Sequence, residues 1–495
     1  MNWLKIKNLQ AVPLSHIPRL ATDELVENML DQIHTGKRLV QFFANQSGKD
    51  LALYTVLADD ADSFLVLAAA EVPRSKSFAS MTPSAPACHL FEREIYEDYG
   101  IMPAGHPWLK PVRKGIAGIE GGEESYHFFH MAGEEVHEVG VGPIHAGVIE
   151  PGHFRFSCTG ETVHHLEIEL GFQHRGIEKL FIKNRRKPFF LLKLAESIAG
   201  DTVIGHTGAF VNALEALSGT RVPLRAESIR AIALELERVA VHLGDLSALS
   251  GDVAYLTGHS VFAALRTLAT NTSLAICGNR FGRGLLAPGG VYSELTVDVV
   301  AKIKSVVDEL EEKTELAADV LFASASVLSR FEKTGAVSKK TARELGMVGP
   351  AARASGIPID ARADFPYGVY ASFPVHAFSL STGDVFARAY VRYVEILQSL
   401  RMIREQVESL PNGKIRRPVT DLRPDHLVVS LTEGWRGEIA HIAITDKRGQ
   451  LCRYKIKDPS FNNWLALALA VRNEGISDFP LCNKSFNLSY CGFDL

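Results

Sequence analysis

The apolar positions of the first hundred residues change period several times. After Thr22, Leu25, Met29, Leu30 and Ile33 return at helical spacing, which predicts a helix capped by Thr22. Apolar runs at 39–43, 51–57 and 64–69 are bounded by polar turns and read as strands. The stretch HLFEREIYEDYG at 89–100 goes back to helical spacing, with Gly100 placed to stop it. Its Glu92, Glu94, Glu97 and Asp98 read as a solvated acidic face, with a docking surface for a partner as the alternative.

Residues 114–140 hold GIAGIEGGEES and scattered acids and read as a linker region, which sets the division at 1–118, 119–140 and 141–495. Beyond it, 139–148 and 154–170 look like strands, the second broken by a turn at Thr159-Gly160-Glu161. Helical periodicity with few breakers then runs through 202–218, 223–247, 253–276, 297–324 and 381–409. In the second of these, Ile229, Ile232, Leu236, Val239 and Leu243 form a stripe that reads as core. Three late runs at 427–431, 439–445 and 451–456 return to strand character, with DKRG as a tight turn. The expected class is α+β: a small N-terminal α+β domain, then a mainly α-helical bundle with peripheral antiparallel strands.

Composition narrows the function more than the fold. A chain of 495 residues with 46% hydrophobic and 22% charged residues can bury a large interior over two or three domains. The net charge of −4, with no long block of one sign, argues against a nucleic-acid partner. The opening MNWLKIKNLQ has no signal-type apolar run, so a cytoplasmic location is expected. The apolar stretch 254–277 contains His259 and Arg266 and falls short of a membrane span, which leaves membrane contact to other subunits. The six cysteines form no C-x-x-C pair, so neither a zinc site nor a disulfide framework is signalled.

Two polar packets stand out. GPIHAGVIEPGHFRF at 142–156 carries His145, Glu150, His153 and Arg155, and ELGFQHRGIEKL at 169–180 carries His174, Arg175, Glu178 and Lys179. Ionisable groups of this kind beside strand ends can line a redox pocket and donate protons. They can equally pair with one another to hold strands against helices, and the residues alone leave both readings open. The histidines lack H-E-x-x-H spacing, and GNRFGRGLLAPGGV at 278–291 lies outside a strand–helix dinucleotide context.

These packets belong to a longer series: FEREIYEDYGI and GHPWL early, then VPLRAESIRAIALELERVAVHL, APGGV, GPAARASGIPIDARADFPYGVY, GDVFARAYVRYVEILQSLRMI, EGWRGE, KDPSF and SFNLSYCGFDL. In that order they resemble a fusion of complex I subunits C and D, as in the large subunits of membrane-bound, energy-converting (group 4) nickel–iron hydrogenases. The first domain is similar to the C type and the second to the D, quinone-site, type. The resemblance implies a peripheral subunit on the cytoplasmic face of the membrane. Its implied partners are a complex I-like iron–sulfur small subunit and membrane ion-pumping subunits. NADH chemistry is implied for the complex as a whole, its flavin and nicotinamide residing on other chains.

The same resemblance assigns site residues. Active relatives hold nickel and iron through two C-x-x-C pairs, which here map onto Ala199 and Thr202, and onto Ser489 and Gly492, with Cys491 one position out of register. Alanine and glycine offer no ligand, and hydroxyls are poor substitutes for thiolates, so a nickel–iron centre is expected to be absent and no cofactor is expected on this chain. His206 matches the histidine of the first motif, Glu150 an acid that helps hold a divalent ion, and Arg436 an arginine facing the metal. His145, His174 and Arg175 match the loops lining the complex I quinone cavity, with Asp201, Thr202 and His206 as the polar candidates where its tyrosine is missing. The expected function is an electron-transfer subunit with a pocket beside the partner's iron–sulfur cluster for quinone or another small acceptor. An active hydrogenase and a non-catalytic coupling subunit are the alternatives.

Overall fold

The computed structural model describes residues 3–47, 50–72, 77–113, 127–145 and 150–495. Near the N-terminus, strands Leu4–Ile6, Phe64–Val72, Asp50–Asp59 and Arg38–Ser47 lie side by side and antiparallel, with Arg19–Leu20 added in parallel to Phe64–Val72. The run LALYTVLA does not alternate apolar with polar because both of its faces are covered. Leu51, Leu53 and Leu57 meet Leu25 and Met29 of helix Thr22–His34, while Ala52, Tyr54, Val56 and Ala58 face Leu427, Val429, Ala440 and Ile442. That helix begins at Thr22 itself, with Ala21 in the capping position and no side-chain cap. Asp23 and Glu24 complement the positive end of its dipole.

The late strands His426–Gly434, Gly437–Thr445 and Leu451–Lys457 form one antiparallel sheet, to which Val12–Pro13 adds a fourth strand from the N-terminal region. Expected at the periphery, this sheet is instead a middle layer, and every residue of Gly437–Thr445 is buried. One face packs on the N-terminal sheet, and the other, with Val428, Ala443 and Tyr454, packs on the helices. The bundle consists of Val203–Ser218, Leu224–Asp252, Leu256–Cys277, Val297–Ala323 and Val385–Glu408, close to the predicted spans. Ile229, Ile232, Leu236, Val239 and Leu243 are all buried, as a core stripe requires.

The strand expected at 139–148 runs over Val136–Val141, inside the stretch read as linker, and pairs with His153–Thr159, which pairs in turn with Thr162–Glu169. Residues 114–126 of that linker reading and 146–149 of the first polar packet lie outside the described residues. The glycines at 289 and 290 allow the backbone of residues 415–417 to approach so closely that a Cβ at either would sit about 2 Å from a carbonyl oxygen.

The acidic helix His89–Tyr99 ends at Gly100 (φ 66°) as predicted, but its face is not solvated. Glu92, Glu94 and Glu97 are buried. Glu92 accepts from the Ser80 and Thr82 hydroxyls and the Met81 N–H, and Glu97 from the N–H groups of Val112 and Arg113. Glu94 pairs with Arg113 at 2.5 Å and with Lys455 at 2.6 Å, and Lys455 also binds Glu178 at 2.9 Å. The helix therefore docks on this chain's own second domain, through charges that tertiary contacts neutralise.

Glu94→Ala leaves the buried Arg113 without its carboxylate and Lys455 with Glu178 alone, and a loss of about 3–5 kcal/mol is expected in chemical denaturation. Burial pushes the Glu97 carboxyl up to about 7, more than its backbone donors pull it down. A carboxyl with a raised folded-state pKa favours folding most below its ordinary pKa and loses that contribution as pH rises. Glu97→Gln should accordingly remove part of the fall in thermal midpoint between about pH 5 and about pH 7.

Candidate functional site

The turn Ile198–Thr202 feeds the buried N-terminus of helix Val203–Ser218. Thr202 does not cap this helix with its side chain. The capping acceptor is remote: Glu237 takes the N–H of Ile204 at 2.7 Å and of Gly205 at 3.1 Å. Burial pushes the Glu237 carboxyl up to about 8 against the pull of these donors, and the neighbouring Asp201 adds to the rise.

Arg436 follows the strand His426–Gly434 and turns back over this helix start. Its guanidinium meets Asp201 twice, at 2.6 and 2.8 Å, and donates to Thr202 Oγ1 at 3.1 Å. Its Nε donates to the Asn487 carbonyl at 2.6 Å, and its plane lies 3.8 Å from the Trp435 ring centre. Trp435 donates to the Asp201 carbonyl. One side chain thus ties the 199–202 segment to the 487–492 segment. Ser489 caps the last helix, Tyr490–Asp494, by accepting the Gly492 N–H at 2.9 Å. Cys491 donates its N–H to Glu150 at 2.9 Å and has its Sγ 3.6 Å from the same carboxylate; burial, then Glu150, holds the thiol above its usual pKa.

Below this pair lies a buried polar chain. His206 Nε2 contacts Asp458 at 2.9 Å, His206 Nδ1 contacts His441 Nε2 at 3.1 Å, and His441 Nδ1 contacts the Tyr454 hydroxyl at 2.8 Å. One arrangement gives each contact a single proton: Tyr454 donates to His441, His441 to His206, and His206 to Asp458. Burial, then His206, holds His441 well below the usual imidazole range. Burial alone would raise Asp458, but the His206 bond and Arg436 outweigh it and lower its pKa. In this arrangement every ring nitrogen of the two histidines is satisfied inside the fold.

The other expected residues do not converge here. His145 bonds the Gly152 carbonyl at 2.9 Å, and His174 bonds the Asp494 carbonyl at 2.7 Å. Arg175 donates to the carbonyls of Ser197, Ile198 and Cys491, pinning the two segments from outside. Both histidines hold loops through these carbonyls, and His206 is fully buried. Sequence reasoning misses Asp458, His441, Tyr454 and Glu237. His441 comes nearest to a local signal: strand alternation puts it on the same face as Ile439 and Ala443.

A cleft of about 30 Å³ beside Asp201 is lined by Ile204, Glu237, Arg266, Cys277 and Arg280, room for water rather than a quinone ring. A cavity of about 440 Å³ runs along the neighbouring face of the same helix, past Ile204, Gly208, Asn212, Leu234 and Tyr367.

Residues 16–113 match the respiratory-chain NADH dehydrogenase 30 Kd subunit and residues 252–426 the 49 Kd subunit. The carbon monoxide-induced hydrogenase of Rhodospirillum rubrum is 31% identical over 348 residues, covering 70% of this chain and 96% of that protein. The chain belongs to the family of group 4 hydrogenase-like large subunits. Formate hydrogenlyase subunit 5 of Escherichia coli (strain K12) is 29% identical over 441 residues, covering 85% of this chain and 77% of that one. A chain from the membrane-bound sulfane sulfur reductase, an archaeal respiratory membrane complex, matches with a TM-score of 0.68 at 25% identity, covering 74% of this chain and 100% of that chain.

Within this hydrogenase-like family the thiolate positions can be tested for fit. Ala199 is buried and has no donor atom, Thr202 is engaged by Arg436, and Ser489 is engaged as a cap. A Cβ at Gly492 would lie 2.7 Å from the Asp458 carboxylate and 2.8 Å from Ser489 Oγ. These residues do not fit a nickel–iron centre: soft donors are missing and the Arg436–Asp201 pair joins the two segments that would carry them.

Asp201 and Arg436 should be strongly coupled. A double-mutant cycle with Asp201→Ala and Arg436→Ala is expected to give an interaction energy of about 1–3 kcal/mol by chemical denaturation, against a few tenths for an exposed pair such as Lys313 and Glu309.

Proposed function

We propose that this chain is a nickel-free, acceptor-side subunit of a membrane-associated, complex I-like oxidoreductase complex. Electrons arrive from an iron–sulfur cluster on a small partner subunit, and quinone or another small molecule accepts them. The observation that carries this reading is the donor set at the thiolate-equivalent positions: Ala199 and Gly492 have no ligand atom, Thr202 is held by Arg436 and Ser489 is engaged as a helix cap. The 440 Å³ cavity along the Val203–Ser218 helix supports a small-molecule acceptor, being within the usual range for such ligands. The buried Tyr454–His441–His206–Asp458 chain supports proton movement coupled to that reduction. A relative drawn from a sulfane sulfur reductase complex supports an acceptor other than protons on this scaffold.

The complex holds this chain at the cytoplasmic face through its other subunits. Among the described residues no helix is long and apolar enough to cross a membrane. The ion-pumping subunits are therefore partners, not parts of this chain.

The test is elemental analysis and turnover on the complex purified through a tag on this chain. Nickel well below one per chain, no hydrogen evolution, and reduction of a quinone or polysulfide by the reduced complex are the expected results. Stoichiometric nickel with hydrogen evolution would overturn the reading. Unchanged acceptor reduction in both Asp201→Asn and His206→Gln complexes would favour a purely structural coupling subunit instead.

A further inference from the structure

Where the N-terminal domain meets the second, a cavity of about 130 Å³ is lined by Asp98 and Tyr99 from the acidic helix, by Arg113, by His174 and Lys179, and by Arg453 from the late sheet. It lies apart from the residues joined by Arg436. Its hydrogen-bonding balance is one-sided.

Arg453 is nine-tenths buried, yet it uses only Nη1, on Glu178 at 2.9 Å and on the Tyr454 carbonyl. Its Nε is buried with no acceptor, and its Nη2 makes no bond to the described residues. Arg113 spends Nη1 on Glu94 and Nη2 on the Phe493 carbonyl, and its buried Nε is likewise unpartnered. The exposed Lys179 and the half-buried Tyr99 also line the cavity, and neither side chain has a hydrogen-bond partner among the described residues. Unsatisfied buried donors are costly, but neither Nε has surface open to the cavity; the guanidinium group left for an anion is Arg453 Nη2.

The acceptors nearby are already committed or muted. Glu178 is saturated by Arg453, Lys455 and the Ile456 N–H, and Glu94 by Arg113 and Lys455. Burial, then the charges of Glu94 and Glu178, raises the Asp98 carboxyl above its usual pKa. The His174 ring, bonded through Nδ1 to the Asp494 carbonyl, is held below its usual pKa chiefly by burial and adds no charge. What the cavity lacks is a compact acceptor bearing negative charge.

We infer that this cavity is a binding site for a small inorganic oxyanion of the phosphate or sulfate kind, held by Arg453, Lys179 and Tyr99. Guanidinium donors in a fixed fork suit such an anion, and its oxygens satisfy groups from both domains at once. The bound anion fastens the acidic helix of the N-terminal domain to the late sheet and the 174–179 loop. It is a structural cross-link between the two domains, separate from electron transfer.

Thermal midpoints of the full chain, titrated with inorganic phosphate and with sulfate against sodium chloride at matched ionic strength, test this. A saturable rise is expected for both oxyanions and not for chloride. Lys179→Gln, at an exposed position, should leave the midpoint without added anion unchanged and weaken the apparent affinity about tenfold, and Tyr99→Phe should weaken it several-fold. Because sulfate and phosphate also stabilise proteins by exclusion from the surface, an unsaturable rise equal in wild type and Lys179→Gln would overturn the proposal. So would a response no larger than that to chloride.

Discussion

Among the described residues the charges taken into the interior are largely matched there by opposite charges, and that constraint organises the molecule. The largest instance runs through the bundle. Glu235 accepts from Arg362, Tyr370 and Ser399, while Arg353 joins Glu395 to Glu433 and Arg238 reaches the carbonyls of Glu433 and Gly434. None of these side chains is replaceable singly, because an unpaired buried ion costs several kcal/mol. Helices Leu224–Asp252 and Val385–Glu408, the 349–371 segment and the late sheet are therefore held in one mutual arrangement. The same rule joins the domains through Glu94, Lys455 and Glu178, and closes the candidate site through Asp201 and Arg436.

That closure sits where the family resemblance places the metal-binding segments. Thiolate pairs and a bimetallic centre would cross-link the 199–202 and 489–492 segments. In this chain Arg436 hydrogen-bonds Asp201 and Thr202 on one side and the Asn487 carbonyl, just before Ser489, on the other. Serine at 489 caps a helix, and the absence of a side chain at 492 leaves room for the Asp458 carboxylate that anchors His206. Substitutions that look like simple losses in the chain are mutually consistent in space.

The secondary structure was largely legible in the chain, and the site only in part. Helix-long periodicity at 223–247 and 381–409 is strong enough that packing merely confirms it, and the strand runs at 51–57 and 439–445 survive with extended ends. Thr22 misleads because a threonine before an apolar stripe has the composition of a cap whether or not its hydroxyl reaches a backbone N–H. The acidic stretch at 92–98 misleads for a deeper reason. Its neutralising partners, Arg113, Lys455 and three backbone N–H groups, lie beyond any local window. His145 and His174 read as pocket residues because imidazole chemistry is versatile, whereas their actual bonds are to single carbonyls of nearby or distant loops.

By itself the chain determined the element types, the two-domain plan, the family and the lack of sulfur at the cradle positions, since these depend on residue identity and short-range period. Tertiary structure alone decided that the late sheet is a central layer, that Arg436 takes Asp201 as its partner, and that Asp458, His206, His441 and Tyr454 form one line. Each of those outcomes joins residues separated by a dozen to several hundred positions. The free energy of burying a charge or a sheet face depends on what lies across from it, and no local sequence pattern carries that information.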